Sequence, residues 1–443
     1  MLWRSKGRSA VNARETADVS WGRCQRLLIG ALGGLALLGT AIAEPGPYSH
    51  EAIASKDYQG ITLNVLALDT PVLGEPVVLH AREFEELTGA KVNVNRVSFP
   101  ELYQEALLGL RQQKYDALFF GSMWIADVVE YLAPIPPSML ESAQYREVLP
   151  HYKHVASWGD TAYMVPVDGD RHYLQYRRDL PEDPAFKAAF KRQTGRELGV
   201  PKTWSELQEI ARFFHGRKTA DGQTMCFFDA IKAFGRGNVV FSDSWDDPFV
   251  EAMEPGNRLH DRVAASLSPG SRKVWNRETG RWDSFPEVNY APYIVYGWTS
   301  GVAAATPHQQ AAFDFLGFHA NPSNHRADLQ VGRFGMNPFR QSDLDERFWV
   351  ERAGWDPLVA RSYVQRLEKQ SQSRNRVLDL RIHRGQEYVY ILSIGVYRTL
   401  TGRDTPQAAL DEVARRWKRL TERVGVDRQR EACRHVVGFE DGG

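Results

Sequence analysis

The chain has 443 residues, 43% hydrophobic and 25% charged, with 55 basic against 55 acidic side chains. Such a length exceeds what one hydrophobic core usually supports, so two lobes are expected. The balanced charge, with no basic stripe interleaved with aromatics, argues against nucleic acid as a partner, and the composition excludes a disordered or fibrous chain.

Residues 1–43 read as an export signal. Arg4, Lys6, Arg8, Arg14, Arg23 and Arg26 stand against only Glu15 and Asp18, and LLIGALGGLALLGTAIA ends in A-x-A at Ala41-Ile42-Ala43. The expected cut precedes Glu44. A membrane anchor is the other reading, but the apolar run is broken by glycines and shorter than the ~20 residues a spanning helix needs. No cysteine stands at the cut for lipid attachment. The chain from Glu44 onward keeps 49 basic and 53 acidic residues, and is expected to be a soluble periplasmic protein. Cys24 falls in the signal. That leaves Cys226 and Cys433, either bridged in an oxidising compartment or present as two buried thiols.

After the signal, ITLNVLAL reads as a short apolar strand, and PVVLHAREFEELTGAKV as a helix with apolar residues at Val77, Leu79, Phe84 and Leu87 and Gly89 as its stop. FPELYQEALLGLRQQKYDALFFGS repeats the unit, with helical spacing at Leu102, Ala106, Leu107 and Leu110 and a buried strand ending at Gly121. Alternation of this kind predicts an α/β fold with a largely parallel sheet, whose ligands bind beyond the carboxyl ends of the strands. The loops there carry Asp69, Thr70, Ser122 and Trp124.

TGAKVNV, YDALFF, YMVPVDGDRHYLQYRRDL and PKTWSELQEIA, taken in order, resemble the family-1 extracellular solute-binding proteins, the maltose-binding-like receptors of ABC importers. Farther on, AFGRGNVVFSDSW, SPGS, YGWTSGVAAATPHQQAAFDFLGFHANPSNH and LDEVARRW are similar to later segments of that family, and the resemblance covers nearly all of the chain after the signal. It implies a two-lobed periplasmic-binding-protein fold with hinge-crossing strands and a central ligand cleft. The implied lobes are residues 44–165 with 297–340, and residues 166–296 with 341–443. About twenty residues separate the TWSEL helix from AFGRG where the family carries several dozen more, so the second lobe is expected to be trimmed. The implied partners are a small polar solute, most simply a sugar, and the transmembrane subunits of an ABC permease, with the receptor itself a monomer.

In that setting VPVDGD is expected to be a crossing strand, with Asp168 and Asp170 facing the cleft and Gly169 allowing close backbone approach. A plain hairpin is the other reading, because Asp-Gly is a strong turn signal between strand-like runs. A sugar offers paired hydroxyls to a carboxylate and C–H faces to an aromatic ring, which makes Trp124, Trp245 and Trp298 candidate platforms and Asp69, Thr70, Asp168, Asp170 and Tyr173 candidate polar contacts. Arg171, Asp243 and Asp246 are second-rank candidates. Each of these tryptophans otherwise belongs to a core.

Enzyme signatures are sparse. There is no H-E-x-x-H, G-x-S-x-G, Walker loop or C-x-x-C, and GRGNVV lacks the third glycine of a dinucleotide loop, so no cofactor is expected. His151 and His154 in HYKH are two histidines without a third ligand. A glycosidase needs only two carboxylates across a cleft, and a sensory receptor binds the same ligand without transport. Both stay open on the sequence.

Overall fold

The structure is a computed structural model that describes residues 46–437 apart from 220, 221, 223, 226–233, 236, 255, 277, 292, 295, 296, 330–335, 374 and 375. The expected signal and Cys226 lie outside the described residues. Residues 45–443 form one compact unit.

Strand β1 (Thr62–Leu68) is buried along most of its length. Helix α1 (Gly74–Thr88) buries Val77, Ala81 and Phe84 on one face. Gly89 ends it in the left-handed region at φ 73°, its N–H bonded to the Glu85 carbonyl. Strand β2 (Lys91–Val97), helix α2 (Phe99–Arg111) with a proline in its first turn, and the fully buried strand β3 (Ala117–Gly121) complete two α/β units. β1 pairs in parallel with β2 and β3, as the alternation of elements predicts.

Strand β4 (Val165–Pro166) then belongs to this first sheet, whereas β5 (Tyr173–Arg177) belongs to a second. Helix α3 (Trp204–Phe214) opens with a capping box between Thr203 and Glu206. β6 (Phe241–Ser244) and β7 (Val263–Ser266) flank β5 in the order β6-β5-β7, both antiparallel to it. Neighbouring side chains of β5 face opposite ways. Leu174 joins Phe213, Phe214 and Phe241 under α3, while Tyr173 packs with Phe249 and Tyr363.

The chain continues through a hairpin of β8 (Ser271–Asn276) and β9 (Arg281–Asn289), a short strand β10 (Tyr293–Ile294), and β11 (Trp298–Val302). β11 returns to the first sheet, whose order is β2-β1-β3-β11-β4, and runs antiparallel to both β3 and β4. The expected parallel sheet is therefore parallel over three strands only, because the returning strand comes back in the opposite sense. Helix α4 (Gln309–His319) packs Phe315 against Phe84 and Phe119.

Helix α5 (Pro357–Gln372) brings Ser362 to within hydrogen-bond distance of the Ala265 N–H in β7. A short strand β12 (Val377–Leu378) pairs in parallel with β10, and three helices follow: α6 (Gly385–Leu400), α7 (Pro406–Val424) and α8 (Val426–Val437). These do not stay with the second sheet. The Trp124 indole donates to Gln386 at 3.1 Å, the Arg384 N–H bonds Asp127, and His154 meets the Val436 carbonyl at 2.7 Å. α6 and α8 are thus fastened to the 124–158 segment. Cys433 on α8 is a free, exposed thiol, so neither alternative, bridge nor buried thiol, describes it.

Several histidines sit in surroundings that disfavour their charged form. Burial, reinforced by Arg171 and Arg376, pushes His151 down to about 2 from 6.5, and burial alone takes His172 to about 4. His319 is held well below 6.5 by burial and by His80 and His325. His80 goes the other way: burial opposes its charge, but bonds to Asp328 and Glu83 raise it. A histidine kept neutral in the fold leaves stability intact above about 6.5 and loses it as pH falls, because only the unfolded chain then takes up the proton. With more histidines lowered than raised, stability should fall between pH 7.5 and 5.0, by about 1.4 kcal/mol per pH unit for each uncompensated group. Urea unfolding at the two pH values checks this, and equal midpoints would contradict it.

Candidate functional site

The stretch Asp168-Gly169-Asp170 sits where the chain passes from β4 in one sheet to β5 in the other. Those strands are not each other's partners, so the stretch is a crossing and not a hairpin turn. Only Val165 and Pro166 are paired as strand, and residues 167–172 join no sheet. The N–H groups of Val167 and Asp168 both donate to the Trp298 carbonyl, at 2.9 and 3.2 Å, which fixes the start of the crossing against the start of β11.

A second segment, residues 336–340, runs beside it. The Asn337 N–H donates to Asp168, and the Asn337 side-chain amide donates to Asp168 at 3.3 Å and to Asp170 at 2.9 Å. The Gly169 N–H returns a bond to the Asn337 carbonyl at 3.1 Å. A Cβ at position 169 would lie 2.0 Å from the Pro338 carbonyl oxygen, so glycine is needed for close approach, as the sequence suggests. Tyr152 donates to the Gly169 carbonyl at 2.6 Å, and Arg171 donates to the Tyr152 hydroxyl at 3.0 Å and to the Pro338 carbonyl at 2.8 Å.

Above this junction opens a cavity of about 360 Å³. Leu68, Thr70, Val72 and Leu73 reach it from the end of β1, Phe99 from the start of α2 and Trp298 from the start of β11. Asp168, Asp170 and Asn337 form its polar wall, and Trp245 approaches from the loop after β6 in the second sheet. Trp298 is almost buried, its ring 6.2 Å from that of Phe99, while Trp245 remains 36% exposed, 5.3 Å from His172. The Trp245 carbonyl accepts a 2.5 Å bond from Gln175, which seats the tryptophan on β5. The arrangement offers aromatic faces on one side and carboxylate and amide acceptors and donors on the other, which suits a small polyhydroxylated solute.

Not every candidate residue lies here. Trp124 is 2% exposed, packed 5.2 Å from Tyr103 and bonded to Gln386, a core position. Tyr173 is fully buried beneath the guanidinium of Arg366, 3.5 Å from its ring centre, because the alternation of β5 turns it away from the cavity. Asp69 points outward near Arg96 at 3.6 Å. Arg171 is consumed by the crossing. Asp243 accepts from Ser268 at 2.6 Å, and buried Asp246 accepts from Tyr363. Phe99 and Asn337 line the cavity without having been singled out in the sequence; only the Asn-Pro pair at 337–338, a turn signal, marks the second crossing segment.

No protein-family model matches the chain. It is 23% identical to a probable amino-acid ABC transporter periplasmic-binding protein of Sinorhizobium fredii, over 76% of this chain and 85% of that one. Among solved structures, an ABC transporter solute-binding protein of Agrobacterium radiobacter in complex with ribitol aligns with a TM-score of 0.58 at 17% identity, covering 82% of this chain and 100% of that one. Maltose-bound MalE3 of T. maritima aligns with a TM-score of 0.59 at 15% identity, covering 82% of this chain and 100% of that one. The fold is that of the solute-binding proteins of ABC importers. Within this fold residues 167–172 carry the chain from the first sheet to the second, with residues 336–340 bonded alongside.

The contact geometry at Gly169 makes a sharp expectation. Gly169→Ala should destabilise the protein by about 1–3 kcal/mol, the usual cost of forcing a methyl group into a filled space. Gly199→Ala, where nothing stands within 4 Å, is the control and should leave stability unchanged. Denaturant midpoints measure both, and equal values would show that the junction yields without cost.

Proposed function

We propose that the protein is an exported receptor that captures a small polar solute, a sugar or polyol, and hands it to an ABC permease. The observation that carries this reading is a single cavity lined from both sheets at the point where the chain crosses between them. A ligand there touches both lobes, so it favours a closed form over an open one by the contacts that only closure completes. We divide the lobes as the first sheet with α6–α8, and the second sheet with α3 and α5. The receptor acts as a monomer in the periplasm after removal of residues 1–43.

The names of similar proteins point to different ligands, an amino acid for one and ribitol or maltose for others. The cavity favours the polyhydroxylated class. A cationic side chain is the usual strong partner for an amino acid's carboxylate, and the described lining has two aspartates and an asparagine but no lysine or arginine. Hydrolysis is disfavoured by the placement of the carboxylates. Asp168 and Asp170 lie side by side on one wall, bridged by one amide, rather than on opposite sides of a scissile bond.

A thermal-shift screen of pentitols, hexitols, monosaccharides, disaccharides and amino acids tests the reading, since a ligand at 100 times its Kd adds about 2.7 kcal/mol. One sugar or polyol should raise the melting temperature, and stabilisation by an amino acid alone would overturn the ligand class. Trp245→Ala should then weaken calorimetric affinity for that ligand by about thirtyfold, as loss of a stacking aromatic commonly does, with little change in melting temperature because the ring is partly exposed. Wild-type affinity in this variant would remove Trp245 from the site.

A further inference from the structure

The walls of the cavity at the crossing combine two features that a neutral sugar uses only in part. The first is acidic. Asp168 and Asp170 stand two positions apart, 2% and 8% exposed, and both line the cavity. Keeping a carboxylate out of water is costly, and a positive charge close by lowers that cost. The described lining contains no lysine, arginine or histidine, and its other polar side chains, Thr70 and Asn337, are uncharged. Asn337 donates to both aspartates but removes none of their charge. Each carboxylate has about four acceptor positions, so the bonds from Asn337 leave capacity on the pair for a further donor.

Two basic residues follow Asp170 directly, and neither brings a positive charge into the cavity wall. Arg171 donates to the Tyr152 hydroxyl and the Pro338 carbonyl behind the crossing. His172 packs 5.3 Å from Trp245, but burial pushes it down to about 4, so it is neutral near pH 7 and does not repel a cation beside that ring.

The second feature is aromatic. Trp298 and Phe99 reach the cavity from the first sheet's side and Trp245 from the loop after β6 in the second sheet. The face of an indole or phenyl ring attracts a cation, most strongly where water is excluded. A hydroxyl can bond to the aspartates, yet it answers neither their charge nor the rings. An ammonium answers both, because it offers three donors for charge-assisted bonds and a positive charge for the ring faces.

We propose that the solute carries a cationic amino group, as an amino sugar or an amino polyol does, and that its ammonium sits between Asp168, Asp170 and the tryptophans. This rests on the reading of the cavity as a site for a polyhydroxylated solute and adds which substituent it selects. The aspartates take the charge from the crossing and Trp245 takes it from the second sheet, so the amino group also favours closure.

The test is calorimetric titration of the chain from Glu44 onward at pH 6.5, where the amines are protonated. The probes are matched sets: D-glucose, D-galactose and D-mannose beside their 2-amino and 2-acetamido forms, and D-glucitol and ribitol beside their 1-amino forms. In at least one set the amine should bind about tenfold or more tighter than its parent alcohol, from the greater strength of a charge-assisted bond. The acetamido form, which keeps an N–H but not the charge, should lose that advantage. Asp170→Asn, whose amide oxygen can still accept from Asn337, should bring the amine and its parent to within about twofold of each other. The comparison between ligands on one protein needs no variant, so it stands even if Asp170→Asn folds poorly. Parents that bind while no amine surpasses them overturn this proposal and leave the polyhydroxylated reading in place. Binding by no member of any set overturns both, and an acetamido form that matches its amine removes the role of charge.

Discussion

The side-chain amide of Asn337 holds two carboxylates at once, and much of the structure follows from that tie. Asp168 and Asp170 would repel each other on one short stretch of buried chain. A shared donor, together with the Asn337 N–H, lets both stay at the mouth of the cavity. The same bonds set residues 336–340 against residues 167–171, so the links between the two sheets are one interlocked junction and not separate strings. Any ligand that touches Asp168 or Asp170 touches that junction.

Behind the junction lies a second layer of buried polar groups. Arg171 binds Tyr152 and Pro338, while Arg366 lies over the rings of Tyr173 and Tyr363 and 3.7 Å from Asp246. These charges are out of water and offset one another at short range, which favours one arrangement of the crossing over many. Trp245 is positioned from the same layer, since Gln175 on β5 grips its carbonyl and the next residue, Asp246, is anchored by Tyr363. Trp245 is therefore held from the second sheet, whereas Trp298 and Phe99 reach the cavity from the first sheet's side and the carboxylates from the crossing.

Much of this was legible in the sequence where local physics decides. The β1–α1–β2–α2–β3 order follows from apolar spacing and from Gly89, and the Asp-Gly-Asp crossing from the need for glycine beside another backbone. What could not be read was direction. Tyr173 lies three residues after Asp170 but faces inward, because a one-residue change of register in a strand reverses a side chain and nothing local fixes that register. Trp124 follows a strand end, as a platform would, yet the C-terminal helix α6 returns to cover it, a contact spanning 262 residues. Asn337 lies 169 residues from Asp168. Pairings at such separation leave no local pattern, and the return of α6–α8 to the first sheet's segment is invisible for the same reason.

The central claim is that ligand binding acts on the interlocked links between the sheets. Hydrogen exchange, followed by mass spectrometry with and without the stabilising ligand, tests it most directly. The account predicts added protection in peptides covering residues 167–172, 336–340 and the loop around Trp245, with the outer helices α3 and α7 unchanged. Protection confined to other regions, or none at the crossing segments in the presence of saturating ligand, would contradict it.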